Sequence, residues 1–189
     1  MMRRFSSVLA GLALIAVSAC NSGDPRCTNL PGGGSYCMQE TSVLPPFDVQ
    51  QKVEAVFNGR HETMIVELEV DKDGMRFAGL TPFGQKVIQV SYDNREVIAQ
   101  VLPDARLEPT LLLALLQLAW WPVDSVRAGL DEALVLDERA GQRHILMNGN
   151  VVMEVSYTGD RAAFGDMHIV FPSAKLELDV KTLDTHTAK

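Results

Sequence analysis

The chain has 189 residues, enough for one domain with its own core, and carries 24 Asp+Glu against 17 Lys+Arg for a formal net charge of −7. An acidic chain with no basic patch is a poor nucleic-acid binder, and it gains nothing from anionic lipid head groups.

The first twenty residues are read before the rest, because they set the compartment. Met1-Met2-Arg3-Arg4 is a short basic start, Val8 to Val17 is an apolar run, and Val17-Ser18-Ala19-Cys20 closes it with small residues and a Cys. This layout is that of a secretory signal, and the run is too short to span a bilayer. The closing four residues resemble the lipobox of bacterial lipoproteins. That resemblance implies removal of residues 1–19, lipidation of Cys20 with acyl chains of the palmitate class, and Cys20 as the first mature residue. The other reading is an ordinary signal peptide ending in an incidental Cys. Asn21-Ser22 follow, without the Asp that resembles an inner-membrane retention signal, so the expected location is the periplasmic face of the outer membrane. With Arg3 and Arg4 gone, 15 Lys+Arg face 24 Asp+Glu, a net charge of −9. Attachment must then come from the acyl chains, several of which anchor stably where one does not.

Residues 20–46 read as a lipidated flexible tether, rich in Gly, Pro, Ser and Asn and without sustained periodicity. Of the three Cys, Cys27 and Cys37 remain in an oxidising compartment, and the spacing predicts a disulfide between them. The alternative, a metal or redox site, needs more ligands or a Cys-x-x-Cys spacing.

The globular domain is expected over residues 47–182. Val49, Gln51, Val53, Ala55 and Phe57 share one face of a strand, Asn58-Gly59 is a hairpin turn, and Met64, Val66, Leu68 and Val70 alternate with Glu67 and Glu69. Asp71-Lys72-Asp73-Gly74 turns into Met75-Arg76-Phe77. Lys86 to Val90 and Val97 to Val101 complete about five antiparallel strands, apolar on one face and wet on the other.

The period then changes. Glu108-Pro109-Thr110 opens a helix that runs through the leucines to Trp120-Trp121, and Pro122 limits it. The helix is apolar nearly all round, which predicts burial, and it is too short to cross a bilayer. A second, short helix ends at Gly129. Strands resume at Ala133 to Leu136, His144 to Met147, Val151 to Tyr157, Met167 to Phe171 and Leu176 to Val180, with Asn148-Gly149 as another hairpin signal. Residues 183–189 read as a disordered tail. An open sheet of about ten strands must curl and needs something apolar in its concave face. The expected fold is therefore mostly β, an open antiparallel half-barrel closed by a helical lid.

Three stretches carry a family resemblance: Phe77-Ala78-Gly79-Leu80-Thr81-Pro82-Phe83-Gly84, the segment Leu111–Trp121 with Pro122 to Arg127, and the strand order around both. Together they resemble the LolB/LolA lipoprotein-transport family, and more closely a group of uncharacterised LolB-like lipoproteins. The resemblance implies a half-open barrel over an apolar, acyl-binding cavity. It also implies transfer of lipoproteins delivered by a LolA-like periplasmic carrier, and a loop that enters the membrane. Pro82, Phe83 and Gly84 match that loop; Phe83 is either exposed at the tip or folded back beside Leu80. The cavity and lid map to Leu112, Leu115, Leu116, Trp120, Trp121, Val66, Leu68, Val90, Met153 and Val155, the tryptophans lining a mouth or anchoring the lid in the core. The Cys pair and Gly run depart from the LolB pattern, so the cargo is allowed to differ, an aryl-polyene-like lipid included.

No catalytic signature stands out. Gly-x-Ser-x-Gly, His-Glu-x-x-His and a phosphate loop are missing, the four His are dispersed, and the Glu67/Glu69 and Glu177/Asp179 pairs read as wet strand faces. The expectation is a non-enzyme without cofactor or metal, whose partners are a membrane and acyl chains. Three readings stay open: an amphiphile carrier, which predicts a cavity; a structural or assembly lipoprotein of an envelope system, which predicts a filled interior and an outer apolar patch; and a hydrolase, which predicts converging polar groups.

Overall fold

The computed structural model describes residues 23–103, 107–159 and 165–187. A small ribbon comes first, with β1 (Cys27–Asn29) paired antiparallel to β2 (Ser35–Cys37). Five strands follow: β3 (Phe47–Phe57), β4 (Arg60–Asp71), β5 (Gly74–Leu80), β6 (Lys86–Tyr92) and β7 (Val97–Val101). Helices α1 (Pro109–Trp120) and α2 (Val123–Gly129) lead to β8 (Leu134–Arg139), β9 (Gln142–Met147), β10 (Asn150–Thr158), β11 (Asp166–Phe171) and β12 (Leu176–Thr187).

The ten strands after the ribbon form one antiparallel sheet in the order β7-β6-β5-β4-β3-β12-β11-β10-β9-β8. Its two meanders join where β3 pairs with β12, so β7 and β8 are the two edges and the sheet stays open. The chain passes between those edges through α1 and α2, which pack against β7 and β8 respectively. The predicted architecture of about five strands, two helices and five strands is thus the observed one. Asn58-Gly59 and Asn148-Gly149 have positive φ at both positions, as two-residue turns matching strand twist require.

Alternation decides which face is inside. Val66, Leu68 and Val70 of β4, Met75 and Phe77 of β5, Ile88 and Val90 of β6, Met153 and Val155 of β10, and Ile169 and Phe171 of β11 are buried in one apolar cluster with α1. Their neighbours in sequence, such as Glu67, Glu69 and Arg76, face solvent.

Two boundaries expected from sequence are corrected. The segment from Asp24 to Pro46 is no tether. Leu30, Tyr36 and Met38 belong to the core, Tyr36 with 0% exposure, and Cys27 and Cys37 form the predicted disulfide. The glycines mislead because they serve close approach. Gly32, Gly33 and Gly34 all have positive φ, and a Cβ on them would meet Ser173, Met147 and Leu134 respectively at under 3 Å. The disulfide closes a short loop, for which the chain-entropy model gives on the order of 2–3 kcal/mol. The tail is also no loose end. Leu183 bulges out of register, and Asp184 to Thr187 then continue β12 to pair with Gln50 to Phe47. The polar Asp184-Thr185-His186-Thr187 run lacks apolar alternation, and pairing with β3 holds it in the sheet.

Candidate functional site

Helix α1 starts at Glu108, whose Oε1 accepts a hydrogen bond from Thr28 Oγ1 of the ribbon at 2.8 Å, with Pro109 at the first helical position. The helix carries no charge from Pro109 to Trp121. Leu113, Ala114, Gln117, Leu118 and Ala119 are buried, whereas Leu111, Leu112, Leu115 and Leu116 are half-buried neighbours on the opposite face.

Gln117 is a fully buried polar side chain in the middle of this apolar helix, and its three bonds explain it. Its Oε1 accepts from Tyr36 Oη at 3.1 Å and from Gln39 N–H at 2.7 Å; its Nε2 donates to Gln39 O at 2.9 Å. Trp121 Nε1 donates to Glu40 O at 3.0 Å. The ribbon also meets α2 and the loop beyond. Ser35 N–H and Oγ donate to the Asp131 carboxylate, Asp131 N–H returns to Ser35 O, and Gly129 leaves no room for a Cβ against Cys37 O and Tyr36. Residues 36–41 reach the sheet on their other side, where Tyr92 Oη donates to Met38 O at 3.3 Å and Thr41 N–H to Asn94 Oδ1 at 2.8 Å. The N-terminal segment therefore bonds both to the helices and to the sheet. Burial pushes the Tyr36 phenol far up, so it remains a neutral donor.

The C-terminal end of α1 is held from β9. Arg143 is 0% exposed and lies at an inward strand position beside Ile145. It pairs with Glu138 at 2.7 Å and donates to the carbonyls of Leu118 at 2.6 Å and Trp121 at 3.0 Å. A guanidinium at a helix C-terminus satisfies carbonyls that have no helical partner and meets the negative dipole end. Tyr157 Oη adds a donor to Ala119 O at 2.5 Å.

The sequence-predicted cavity set divides in two. Val66, Leu68, Val90, Met153, Val155, Trp120 and Trp121 are packed in the core, Trp120 edge-on to Phe47 with ring centroids 6.0 Å apart. Leu112, Leu115 and Leu116 lie on the outer side of α1, half-buried. Of the open readings of the tryptophans, the structure has the core anchor. Two depressions are bordered by described residues. One, of about 700 Å³, is bordered by wet-face residues of β3 to β7 including Glu67, Glu69, Arg76, Gln89, Gln100 and His186, with Leu68 and Val90 behind them. The other, of about 540 Å³, lies by Asn58, Gly59, Pro172 and Lys175. No residue of α1 borders either. In the first, Arg76 binds Glu69 at 2.7 Å and Asp71 at 2.9 Å, and its hydrogen bonds hold both carboxyls below their ordinary range.

Phe83 is 98% exposed. Its turn is well built: Thr81 N–H bonds Gln85 O and Gly84 N–H bonds Thr81 O, each at 2.8 Å, and Gly84 takes φ +81°. Pro82 fixes one further torsion. Cys20 lies outside the described residues. No cluster of three potential metal ligands occurs among the described residues, and no helix among them is long and apolar enough to cross a membrane.

Sequence reasoning missed Tyr36, Gln117 and Arg143 as organising residues. Arg143 had a signal, since it shares strand parity with Ile145. Gln117 had one too, as the lone polar residue between Leu111 and Trp120. Tyr36 was masked by its glycine-rich surroundings.

Two solved structures are similar to this chain at 7% identity each. A LolA superfamily protein from Nitrosomonas europaea matches over 81% of this chain and 95% of its own with a TM-score of 0.46. A domain assigned to outer membrane lipoprotein sorting, from Vibrio parahaemolyticus, matches over 77% and 86% with a TM-score of 0.39. No curated protein matches the chain. The family sequence model that does match covers residues 48–184, from the start of β3 into the last turn of pairing in β12, and by it the chain belongs to the family described as protein of unknown function DUF3261.

Proposed function

We propose that this chain is a non-catalytic, lipid-anchored lipoprotein on the periplasmic face of the outer membrane, which binds an acyl chain or related amphiphile and helps transfer or insert it, in the manner of LolB. The observation that carries the reading is Phe83, a large apolar side chain held fully in solvent on a turn made rigid by Pro82 and Gly84. Burial of a Phe side chain is worth about 1.5–3 kcal/mol, so leaving it out favours any apolar surface that covers it. An interfacial lipid layer is such a surface. The leucine-rich lid supports the same reading, since α1 is more apolar than burial of one face needs. Cargo would enter the concave face only by separating α1 from the segment at residues 36–41.

The burial of Leu113, Leu118, Trp120 and Trp121 in the core cluster favours a second reading, an assembly lipoprotein of an envelope system that works through its outer surface. Native mass spectrometry of the mature domain with Cys20→Ser, purified gently from the periplasm, separates the two. The transfer reading expects a stoichiometric amphiphile, with Phe83→Ser lowering vesicle association severalfold at unchanged thermal stability. A mass that stays free of amphiphile after incubation with envelope lipids, with Phe83→Ser without effect, selects the assembly reading.

A further inference from the structure

Three turns follow one another along one end of the large sheet. They join β11 to β12, β3 to β4 and β5 to β6, and the strand order sets them side by side. Leu176 pairs with Phe57 and Phe57 with Arg60, so the first two turns end at one level, where Asn58 N–H donates to Lys175 O at 3.3 Å. Strand β4 continues past Ile65, the partner of Leu80, out to Arg60, and the β5–β6 turn projects beside that overhang. Phe83 is therefore not alone at this end. Phe57, on the neighbouring hairpin, is 50% exposed.

Charge at these turns runs against that of the chain. Residues 57–61, 81–86 and 172–175 hold Arg60, Lys86 and Lys175 and no carboxylate. All three cations are exposed, and none forms an ion pair among the described residues. Lys86 Nζ donates to the neutral Gln89 side chain at 3.1 Å. Along the strands the first carboxylates are Glu62 and Glu177, each two residues back from a cation, about 7 Å along the strand. At the opposite end of the sheet, Asp71-Lys72-Asp73-Gly74 and Asp93-Asn94-Arg95-Glu96 each carry two carboxylates and one cation. The length of β6 puts that end about 20 Å away, beyond the roughly 8 Å over which exposed charges act at physiological salt. The acidic balance of the whole chain thus does not exclude anionic head groups here.

We propose that this end of the sheet is a contact for an anionic bilayer surface, with Phe57 entering the interface beside Phe83 and with Arg60, Lys86 and Lys175 facing lipid phosphates. This rests on the membrane role of Phe83 in the function proposed above and does not require acylation of Cys20. Aromatic rings seat at head-group level, and the long stems of Lys and Arg lie along apolar surface while their charges reach the phosphates. Arg60 is directly across the strand pair from Phe57, so one hairpin supplies both. Each cation adds an attraction to an anionic leaflet that salt screens.

The test uses the secreted chain with Cys20→Ser, so that no acyl anchor contributes, and vesicles of phosphatidylcholine alone or mixed with phosphatidylglycerol. Co-sedimentation compares the parent, the triple variant Arg60→Ser/Lys86→Ser/Lys175→Ser, the single variant Phe57→Ser, and a control of equal charge change, Lys52→Ser/Lys72→Ser/Arg95→Ser. An unchanged thermal midpoint establishes that each variant folds. The parent is expected to prefer the phosphatidylglycerol vesicles and to lose that preference in high salt. The first triple variant should lose about tenfold or more in affinity for them, and the control about threefold or less. Phe57→Ser should weaken binding to both vesicle types severalfold. Equal losses in the two triple variants, a parent indifferent to phosphatidylglycerol, or a folded Phe57→Ser that binds as the parent does overturns the proposal. Binding lost in Phe83→Ser but kept in the first triple variant overturns it as well and leaves the proposed function in place. Binding that depends on the three cations, in a chain that never carries an amphiphile, upholds the contact and defeats the transfer function instead.

Discussion

Arg143→Ala is expected to destabilise the domain by about 3–5 kcal/mol, the range for breaking a buried ion pair from one side. The Arg143 side chain is wholly buried and pairs with Glu138, which is itself only partly exposed. Its removal leaves that carboxylate short of a partner and takes the donors from Leu118 O and Trp121 O at the end of α1. Arg143→Lys should recover only part of the loss. A single ammonium cannot span the carboxylate and two carbonyls as the planar fork does. Urea unfolding measures both. A loss for Arg143→Ala under about 1 kcal/mol, in the range of a surface ion pair, contradicts this account of the α1 terminus.

Tyr36→Ala should have an effect of similar size, about 3–5 kcal/mol, as for other buried aromatic truncations. The ring is fully buried against Gly129, and its hydroxyl bonds the side chain of Gln117. The cavity opens where three parts of the chain meet, the ribbon, α1 and α2, so collapse around it is hindered. Tyr36→Phe isolates the hydroxyl. It should cost about 1 kcal/mol, since Gln117 Oε1 keeps its bond from Gln39 N–H. Thermal and urea unfolding of the two variants check the pair. Equal, near-zero changes would place Tyr36 on a loose tether.

These two residues also show where sequence reading stops. Strand parity and turn chemistry are local, and β3 to β11, the first half of β12, both Asn-Gly hairpins and both helices were legible from them. The Leu-rich helix reads as buried on all sides; its inner side is, while Leu111, Leu112, Leu115 and Leu116 are only half-buried. What parity does not show is which distant segment fills a concave face. Leu30, Tyr36 and Met38 lie among Gly, Pro and Ser, a composition shared by mobile linkers and by segments whose glycines admit close neighbours. Only the contacts of Gly32 to Gly34 tell those cases apart. Arg143 was hidden for a related reason, because a charge at an inward strand position reads as an error until a helix end is placed over it. Phe83 was half legible, since the turn was evident in Pro82 and Gly84 while the direction of the ring was not.

The organisation of the molecule turns on one relation, that residues 24–46 are part of the domain and hold the lid in place. Its most direct test compares cooperative urea unfolding of the chain from Gly23 onward with that of a chain starting at Phe47. The structure predicts that the shorter chain loses its cooperative transition and exposes apolar surface to a hydrophobic dye, because the bonds from Tyr36, Gln39 and Glu40 to α1 and from Met38 and Thr41 to the sheet are gone. A shorter chain that unfolds cooperatively with a midpoint and slope equal to the longer one would contradict it, and would return the segment to the role of a tether.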